Sequence, residues 1–173
     1  ELLQKESKGE IKEGLRKFVG AHRRFELKGI ASGIKIIDDY AHHPSEVKAT
    51  LKAAQNCSHS KIWCVFQPHT YTRTKSLLDE FSTAFGDADN VIIADIYAAR
   101  EIDTGEIHAS ALADKINLGE EKAVYISGFD NIVQFLEKNV SPGDLLITMG
   151  AGDIWKVGEM FLEDKKIDIM AVS

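Results

Sequence analysis

Apolar and polar positions follow two rhythms along the chain. Five short apolar runs rich in β-branched residues have the length of buried strands: Ile34–Ile37, Ile62–Phe66, Val91–Ile96, Ala123–Ile126 and Leu145–Met149. Between these runs, apolar residues recur at helical spacing over Ser45–Gln55, Thr74–Phe85, Ala109–Leu118, Asn131–Asn139 and Asp153–Leu162. This alternation predicts an α/β fold, a Rossmann-like and mostly parallel sheet with helices on both faces.

The first 29 residues follow a different pattern. Glu10–Phe18 has the spacing of an amphipathic helix, which Gly20 would end. The segment RRFELKG, residues 23–29, predicts an edge strand that turns back through Gly29, which brings the sheet to about six strands. We interpret the start of the chain as the tail of a preceding domain, followed by the joint into this one.

Charge and composition restrict the class of protein. The net charge is −6, and residues 1–29 contain eight Lys/Arg against five Asp/Glu, so the remainder is strongly acidic and does not fit nucleic-acid binding. No apolar run reaches the ~20 residues of a membrane helix, which argues against a membrane partner. Only Cys57 and Cys64 occur, and few cysteines fit a reducing cytoplasm. Cys64 lies in an apolar run, and we expect a buried thiol.

Unusual polar sequence follows the predicted strands, at their carboxyl ends. The four segments are DDYAHHP (residues 38–44), QPHTYTRT (67–74), YAAREID (97–103) and GAGD (150–153). Ligands of open parallel sheets bind beyond the carboxyl ends of the strands. The pattern therefore predicts a binding site at this edge.

Asp38 and Asp39 have two interpretations. They are simply capping groups for the helix that begins near Pro44, or one of them caps this helix while the other meets a ligand or Mg²⁺. His42 and His43 are adjacent and cannot easily share one ion, so no zinc site is expected. A histidine that hydrogen-bonds an anionic or amide ligand is the favoured interpretation, and His69 has the same ambiguity.

Arg73 and the glycines near residue 150 suit an anion. A guanidinium near a helix start binds a carboxylate or phosphate bidentately, although a surface salt bridge is the alternative. Gly150 and Gly152 let a backbone approach a ligand closely, but they also suit a simple tight turn. No G-x-x-x-x-G-K-[ST] phosphate loop occurs in the chain.

Five segments together resemble the Mur ligase family of peptidoglycan synthesis, in its L-alanine-adding branch. They are GAHRRFELKG, DDYAHHPSEV, FQPHTYTRT, DIYAAREIDTG and TMGAGDIWKVG, and the resemblance runs from about residue 10 to 163. It implies that residues 1–20 are the last helix of a central ATPase domain and that residues 21–173 are the C-terminal domain.

The resemblance also implies an activity. Such ligases use ATP to convert the carboxylate of UDP-N-acetylmuramate into an acyl phosphate, which the amine of L-alanine then attacks. The C-terminal domain holds the amino acid and closes over ATP, while the absent domains bind most of the ATP and Mg²⁺. The chain alone is therefore expected to be inactive.

Individual residues match family motifs. Arg24 matches the family arginine that reaches the ATP phosphates. Asp39 matches a family acid that lies near the nucleotide ribose. Tyr40, His42 and Arg73 match groups near the L-alanine and phosphate site. We assign Arg24, His42 and Arg73 to catalysis, and Tyr40, His42, Arg73 and Gly152 to substrate binding.

Relatives with PHRYTRT have arginine where this chain has Thr70, so carboxylate recognition depends more on Arg73. Arg100, Glu101 and Asp103 receive no role.

Two alternatives remain at this point. One is the C-terminal domain of a muramyl ligase that recycles a whole tripeptide, although the PHTYTRT segment favours the L-alanine branch. The other is a small-molecule binding module without catalysis.

Overall fold

The computed structural model describes residues 23–171, with side chains described as far as residue 164. The helix predicted over Glu10–Phe18 and the domain boundary predicted at residue 20 lie outside these residues. Six strands form one sheet: β1 Glu26–Ala31, β2 Ile34–Asp39, β3 Ile62–Phe66, β4 Asn90–Ile93, β5 Ala123–Tyr125 and β6 Leu145–Met149.

The sheet has the order β1-β2-β6-β3-β4-β5. The edge strand β1 pairs antiparallel with β2, and all other pairs are parallel. Asp39 and Phe66, the last residues of β2 and β3, both pair with Met149 of the central strand β6. The carboxyl ends of these three strands therefore lie side by side, and the predicted fold class is confirmed.

Helices cover both faces of the sheet. They are α1 Pro44–Ala54, α2 Tyr71–Ser76, α3 Leu78–Ser82, α4 Ala109–Asn117, α5 Phe129–Asn139 and α6 Trp155–Ala171. The first core packs α1, α3 and α4 against one face, and the second packs α5 and α6 against the other. In β3, Cys64 and Phe66 point into the first core and Trp63 and Val65 into the second, as the pleat of a strand buried on both faces requires.

The turn between β1 and β2 differs from the sequence-based expectation. Ser32 and Gly33, not Gly29, form the hairpin loop, and both have positive φ, 50° and 78°. Two positive φ values are typical of the tight turn that suits strand twist. Gly29 lies within β1, next to a register shift, and a Cβ there would lie 3.0 Å from Leu162 of α6. Glycine at this position therefore lets α6 pack closely against the edge strand.

The helix expected over Thr74–Phe85 is two short helices, α2 and α3. The first begins earlier because the Thr70 hydroxyl accepts from the amide of Arg73 at its start. The chain then leaves helical dihedrals at Leu77, with φ −111° and ψ 21°. Arg73 consequently lies in the first turn of a separate short helix.

Two further expectations concern burial and membranes. Cys64 is fully buried, as predicted, and burial, followed by the nearby charge of Asp39, raises the pKa of its thiol. Across residues 23–171, no helix combines the length and the apolar content that a bilayer crossing demands.

Candidate functional site

The candidate site lies at the topological switch point of the sheet, where neighbouring strands connect to helices on opposite faces. The connections after β2 and β3 lead to helices of the first core, whereas the connection after β6 leads to α6 in the second core. Because β6 lies between β2 and β3, these connections diverge and leave a crevice at the carboxyl ends of the strands. We call them the β2 loop (residues 40–43), the β3 loop (67–70) and the β6 loop (150–154).

Neither Asp38 nor Asp39 caps helix α1, so that interpretation of the pair is wrong. His43 is the N-cap, and its ring and Glu46 form a reciprocal capping box. Asp38 is fully buried and accepts from the Thr148 hydroxyl at 2.8 Å. The two aspartates follow each other in a strand, so their side chains point to opposite faces.

Asp39 holds the segment that precedes β1. Its Oδ2 accepts from the amide of Phe25 at 2.7 Å and its Oδ1 from the amide of Ala41 at 2.8 Å. The residue as a whole is 9% exposed. Asp39 therefore fixes the position of the backbone next to Arg24, in addition to any contact with a nucleotide.

Arg23 is a residue of the site that sequence reasoning missed. Its guanidinium is buried, pairs with Asp38 at 2.8 Å and donates to the carbonyls of Gly150 and Gly152 at 2.7 and 2.9 Å. It also lies 5.2 Å from the centre of the Tyr40 ring. The available signal was the buried aspartate in β2, which needs a cation.

Arg24, the arginine chosen from the sequence, makes no contact with this network within the described residues. Its side chain is exposed and makes no hydrogen bond or ion pair within the described part of the chain. Arg23 and Phe25 on either side have left-handed φ, 59° and 47°. Arg24 therefore projects from a turn whose two neighbours are held by the site.

Four rings form a continuous row across the crevice, which we call the ring row: Tyr40, His42, His69 and Tyr97. Successive centroids lie 5.3, 5.8 and 5.6 Å apart, the first two pairs edge to face and the last stacked. The row links the β2 loop, the β3 loop and the segment after β4. Tyr40 and His42 were predicted here from the sequence, whereas Tyr97 was not assigned a role.

Arg73 joins the ring row through His69. Its Nη1 lies 3.4 Å from Nδ1 of His69, and because a guanidinium only donates, that nitrogen is the acceptor. Burial, then the charges of Arg73 and His42, lower the pKa of His69. These effects favour a neutral ring with its proton on Nε2.

His42 has the opposite tautomer in its neutral form. Its Nδ1 lies 3.0 Å from the carbonyl of Tyr40 and 3.4 Å from a carboxylate oxygen of Glu46. Both neighbours are acceptors, so Nδ1 bears the proton. Within the described residues nothing hydrogen-bonds to Nε2, so its lone pair can accept a proton or a hydrogen bond.

The segment after β4 supports the helix of Arg73. Glu101 accepts hydrogen bonds from the amide and the hydroxyl of Thr72, and these bonds lower its pKa. The amide of Thr70 donates to the carbonyl of Tyr97 at 2.9 Å. Asp103 accepts from the amide of Gly105 within its own loop. Glu101 and Asp103 thus have structural contacts, which the sequence left open.

Gly152 is surrounded by protein atoms. A Cβ at this position would lie 2.6 Å from Cγ of Tyr97 and would also clash with Oε1 of Gln67. Gln67 is buried, accepts from the amide of Asp153 at 3.0 Å and donates to its carboxylate at 3.2 Å. The absence of a side chain is therefore required by the packing of the β6 loop, and the assignment of Gly152 to substrate stays a prediction.

Metal ligands are not clustered in the described residues. No group of three or more His, Cys, Asp or Glu side chains within residues 23–164 has the arrangement to hold an ion.

The family model and the curated relatives agree on one family. A family model described as the glutamate ligase domain of Mur ligases matches residues 23–152. The chain is 66% identical over 157 residues to the UDP-N-acetylmuramate–L-alanine ligase of Acetivibrio thermocellus, a match that covers 91% of this chain and 34% of that protein. The chain spans about a third of the length of the curated relatives it matches.

Solved structures show the same fold. The crystal structure of UDP-N-acetylmuramate-alanine ligase from Thermotoga maritima superposes with a TM-score of 0.71 at 26% identity, over 90% of this chain and 33% of that one. A single domain from a putative UDP-N-acetylmuramate:L-alanyl-γ-D-glutamyl-meso-diaminopimelate ligase of Haemophilus ducreyi superposes with a TM-score of 0.61 at 22% identity, over 82% of this chain and 99% of that one. The match over residues 23–152 shows that this chain belongs to the Mur ligase family and contains the glutamate ligase domain of that family.

Proposed function

We propose that this chain is the C-terminal domain of the ATP-dependent ligase that joins L-alanine to UDP-N-acetylmuramate in peptidoglycan synthesis. The high identity to L-alanine ligases supports the substrate. The observation on which the proposal mainly depends is the unbroken chain of contacts from Tyr40 through His42 and His69 to Arg73 at the crevice. Such a site offers a cation for a carboxylate and an imidazole for an amine, the two polar groups of an amino acid.

Arg73 binds the carboxylate of L-alanine. Its planar fork pairs bidentately with a carboxylate, and His69 holds one edge of the guanidinium through Nη1. The β3 loop adds no arginine to Arg73 of α2, since Thr70 occupies the position where relatives have one. Recognition of the carboxylate therefore depends mainly on Arg73.

His42 accepts the proton that L-alanine must lose. An amine attacks only as the free base, and the Nε2 lone pair of His42 is the available acceptor next to Tyr40. The amine nitrogen forms the new bond to the acyl carbon, and the phosphate leaves with the electron pair of the broken bond. Tyr40 and the backbone at Gly152 line the amino acid site.

ATP supplies the phosphoryl group that activates the muramyl carboxylate. Arg24 fits a phosphate contact, because it is an exposed cation without a partner within the described residues. Asp39 uses one lone pair of each oxygen for the amides of Phe25 and Ala41, and a carboxylate has others for a nucleotide ribose. With no cluster of metal ligands in residues 23–164, Mg²⁺ would be held mainly by other parts of the ligase.

The test uses the full-length ligase that contains this chain. We expect ADP release that requires UDP-N-acetylmuramate and L-alanine together, with a product of the mass of UDP-N-acetylmuramoyl-L-alanine. The muramyl tripeptide-ligase hypothesis is tested in parallel by replacing L-alanine with the tripeptide. Faster turnover with the tripeptide, or no ADP release with either, would contradict the proposal.

The isolated 173-residue chain provides a second test. We expect it to show no ligase activity and only weak binding of Mg·ATP by calorimetry, because most phosphate contacts belong to other domains. Sub-micromolar ATP binding by this chain alone would contradict that division of roles.

A further inference from the structure

Arg23 lies at the meeting point of three segments around the crevice. Its Nε bonds to Asp38, its Nη2 to the carbonyl of Gly150 and its Nη1 to the carbonyl of Gly152, all within 2.9 Å. These partners belong to β2 and to the β6 loop, which are 15 to 129 residues away along the chain. The side chain is buried, so these bonds are shielded from water.

The backbone of Arg23 holds the other side of the crevice. Its carbonyl accepts from the amide of Tyr40 at 2.7 Å, and its guanidinium lies over the ring of Tyr40. Its amide donates to the carboxylate of Glu26 at 2.8 Å. The left-handed φ of Arg23 and of Phe25 is disfavoured for residues with side chains and persists only where surrounding contacts determine it.

One residue therefore sets the relative positions of Tyr40, the β6 loop and the turn that presents Arg24. We infer that Arg23 is a positioning residue for the ligation step, one that acts through Tyr40 and the β6 loop and touches no substrate itself. This inference rests on the proposed function, which assigns amino acid and nucleotide contacts to those segments.

The positioning role of Arg23 requires the planar, forked shape of its guanidinium. The guanidinium of arginine donates hydrogen bonds to three acceptors in fixed directions, whereas a lysine ammonium is a point charge on a flexible stem. Arg23→Lys keeps the charge beside Asp38 but cannot reproduce the bonds to both Gly150 and Gly152. The variant thus separates positioning from simple charge neutralisation.

The experiment measures kinetics and thermal unfolding of Arg23→Lys in the full-length ligase, well below its unfolding temperature. We expect kcat/KM for L-alanine to fall roughly tenfold or more, since small misplacements of reacting groups have large kinetic effects. The KM for UDP-N-acetylmuramate, which is expected to bind elsewhere in the protein, should stay unchanged.

Thr148→Val is the matched control. It removes the other hydrogen bond to buried Asp38 and leaves the Arg23 fork intact. We expect it to lower the unfolding temperature while kcat/KM for L-alanine stays at the wild-type value. A purely structural role for Arg23 predicts that both variants behave in this same way.

Each outcome bears on the inference. If Arg23→Lys is folded and keeps the wild-type kcat/KM, the inference is overturned. If it does not fold, Asp38→Asn, which keeps a neutral acceptor for Nε, replaces it; we expect a lower kcat/KM than in Thr148→Val, and equal values overturn the inference. A wild-type ligase without L-alanine-dependent ADP release overturns the proposed function, and this inference with it.

Discussion

The guanidinium of Arg73 donates to the imidazole of His69 across 3.4 Å, and not the reverse. Arginine has no acceptor, so this geometry fixes the proton of the neutral ring on Nε2. Tyr97 stacks on the ring of His69, with the two centroids 5.6 Å apart. The ring of His69 thus contacts both a cation and an aromatic ring. It holds one edge of the Arg73 guanidinium, whose other donors contact no side chain within the described residues.

The first prediction concerns Arg73→Lys in the full-length ligase. Replacing a bidentate carboxylate partner with a point charge is expected to raise KM for L-alanine roughly tenfold to a hundredfold, since hydrogen bonds to charged groups contribute about 1.5–3 kcal/mol. Steady-state kinetics with varied L-alanine measures this. Lys75→Gln is the control, because Lys75 lies on the same helix and, among the residues that the structure describes, pairs only with Glu106 at the surface. Equal KM values in the two variants would contradict the assignment of Arg73 to the amino acid site.

The second prediction concerns pH. Burial, the charge of Arg73 and that of His42 lower the pKa of His69 from its usual 6.5, so above pH 6.5 the ring is neutral and accepts from Arg73. As pH falls below 6.5 and through the lowered pKa, protonation removes that acceptor and places two cations side by side. The contribution of His69 to folding stability is likewise complete above pH 6.5 and lost below it. We expect KM for L-alanine to be flat above pH 6.5 and to rise in more acidic buffer.

His69→Asn tests the assignment of this pH effect. An asparagine carbonyl at the position of Nδ1 accepts from Arg73 without titrating. The rise of KM in acidic buffer should therefore disappear in this variant. If the acidic limb of the profile is the same in wild type and variant, another group causes it.

The third prediction concerns Glu101, which bonds to the amide and hydroxyl of Thr72 at the start of the helix that contains Arg73. Glu101→Gln weakens these bonds, and we expect a severalfold higher KM for L-alanine with little change in KM for ATP. Glu106→Gln is the control, because in the described part of the chain its carboxylate contacts only exposed Lys75. A Glu101 variant indistinguishable from this control would mean that α2 keeps its position without the carboxylate.

The parts of this molecule that sequence predicts are those set by local pattern. β-branched runs gave the strands, and their carboxyl ends gave the edge at which Tyr40, His42 and Arg73 lie. Contacts between distant segments could not be predicted in this way. The pairing of Arg23 with the carbonyl of Gly152 spans 129 residues, and nothing in either segment alone indicates it.

Glycine roles show the same limit. A sequence distinguishes poorly between a glycine that admits a ligand and one that admits a neighbouring side chain, because both require only the absence of a Cβ. At Gly152 the neighbours are Tyr97 and Gln67, which follow other strands of the sheet. The family resemblance supplied an assignment to substrate, and the packing supplies a second reason for the residue.

The last prediction tests that packing with Gly152→Ala in the 173-residue chain. A Cβ would lie 2.6 Å from Tyr97, so the ring or the buried Gln67 side chain must shift, and we expect a loss of about 1–3 kcal/mol in the free energy of unfolding. Gly86→Ala is the matched control: no atom lies within 4 Å of its Cβ, and fewer unfolded conformations should leave stability equal or raised by about 0.4–1 kcal/mol. Urea unfolding followed by circular dichroism measures both. If the two alanine variants unfold at the same urea concentration, the contact of Gly152 with Tyr97 and Gln67 is not a requirement of the fold, and a ligand becomes the better reason for glycine at this position.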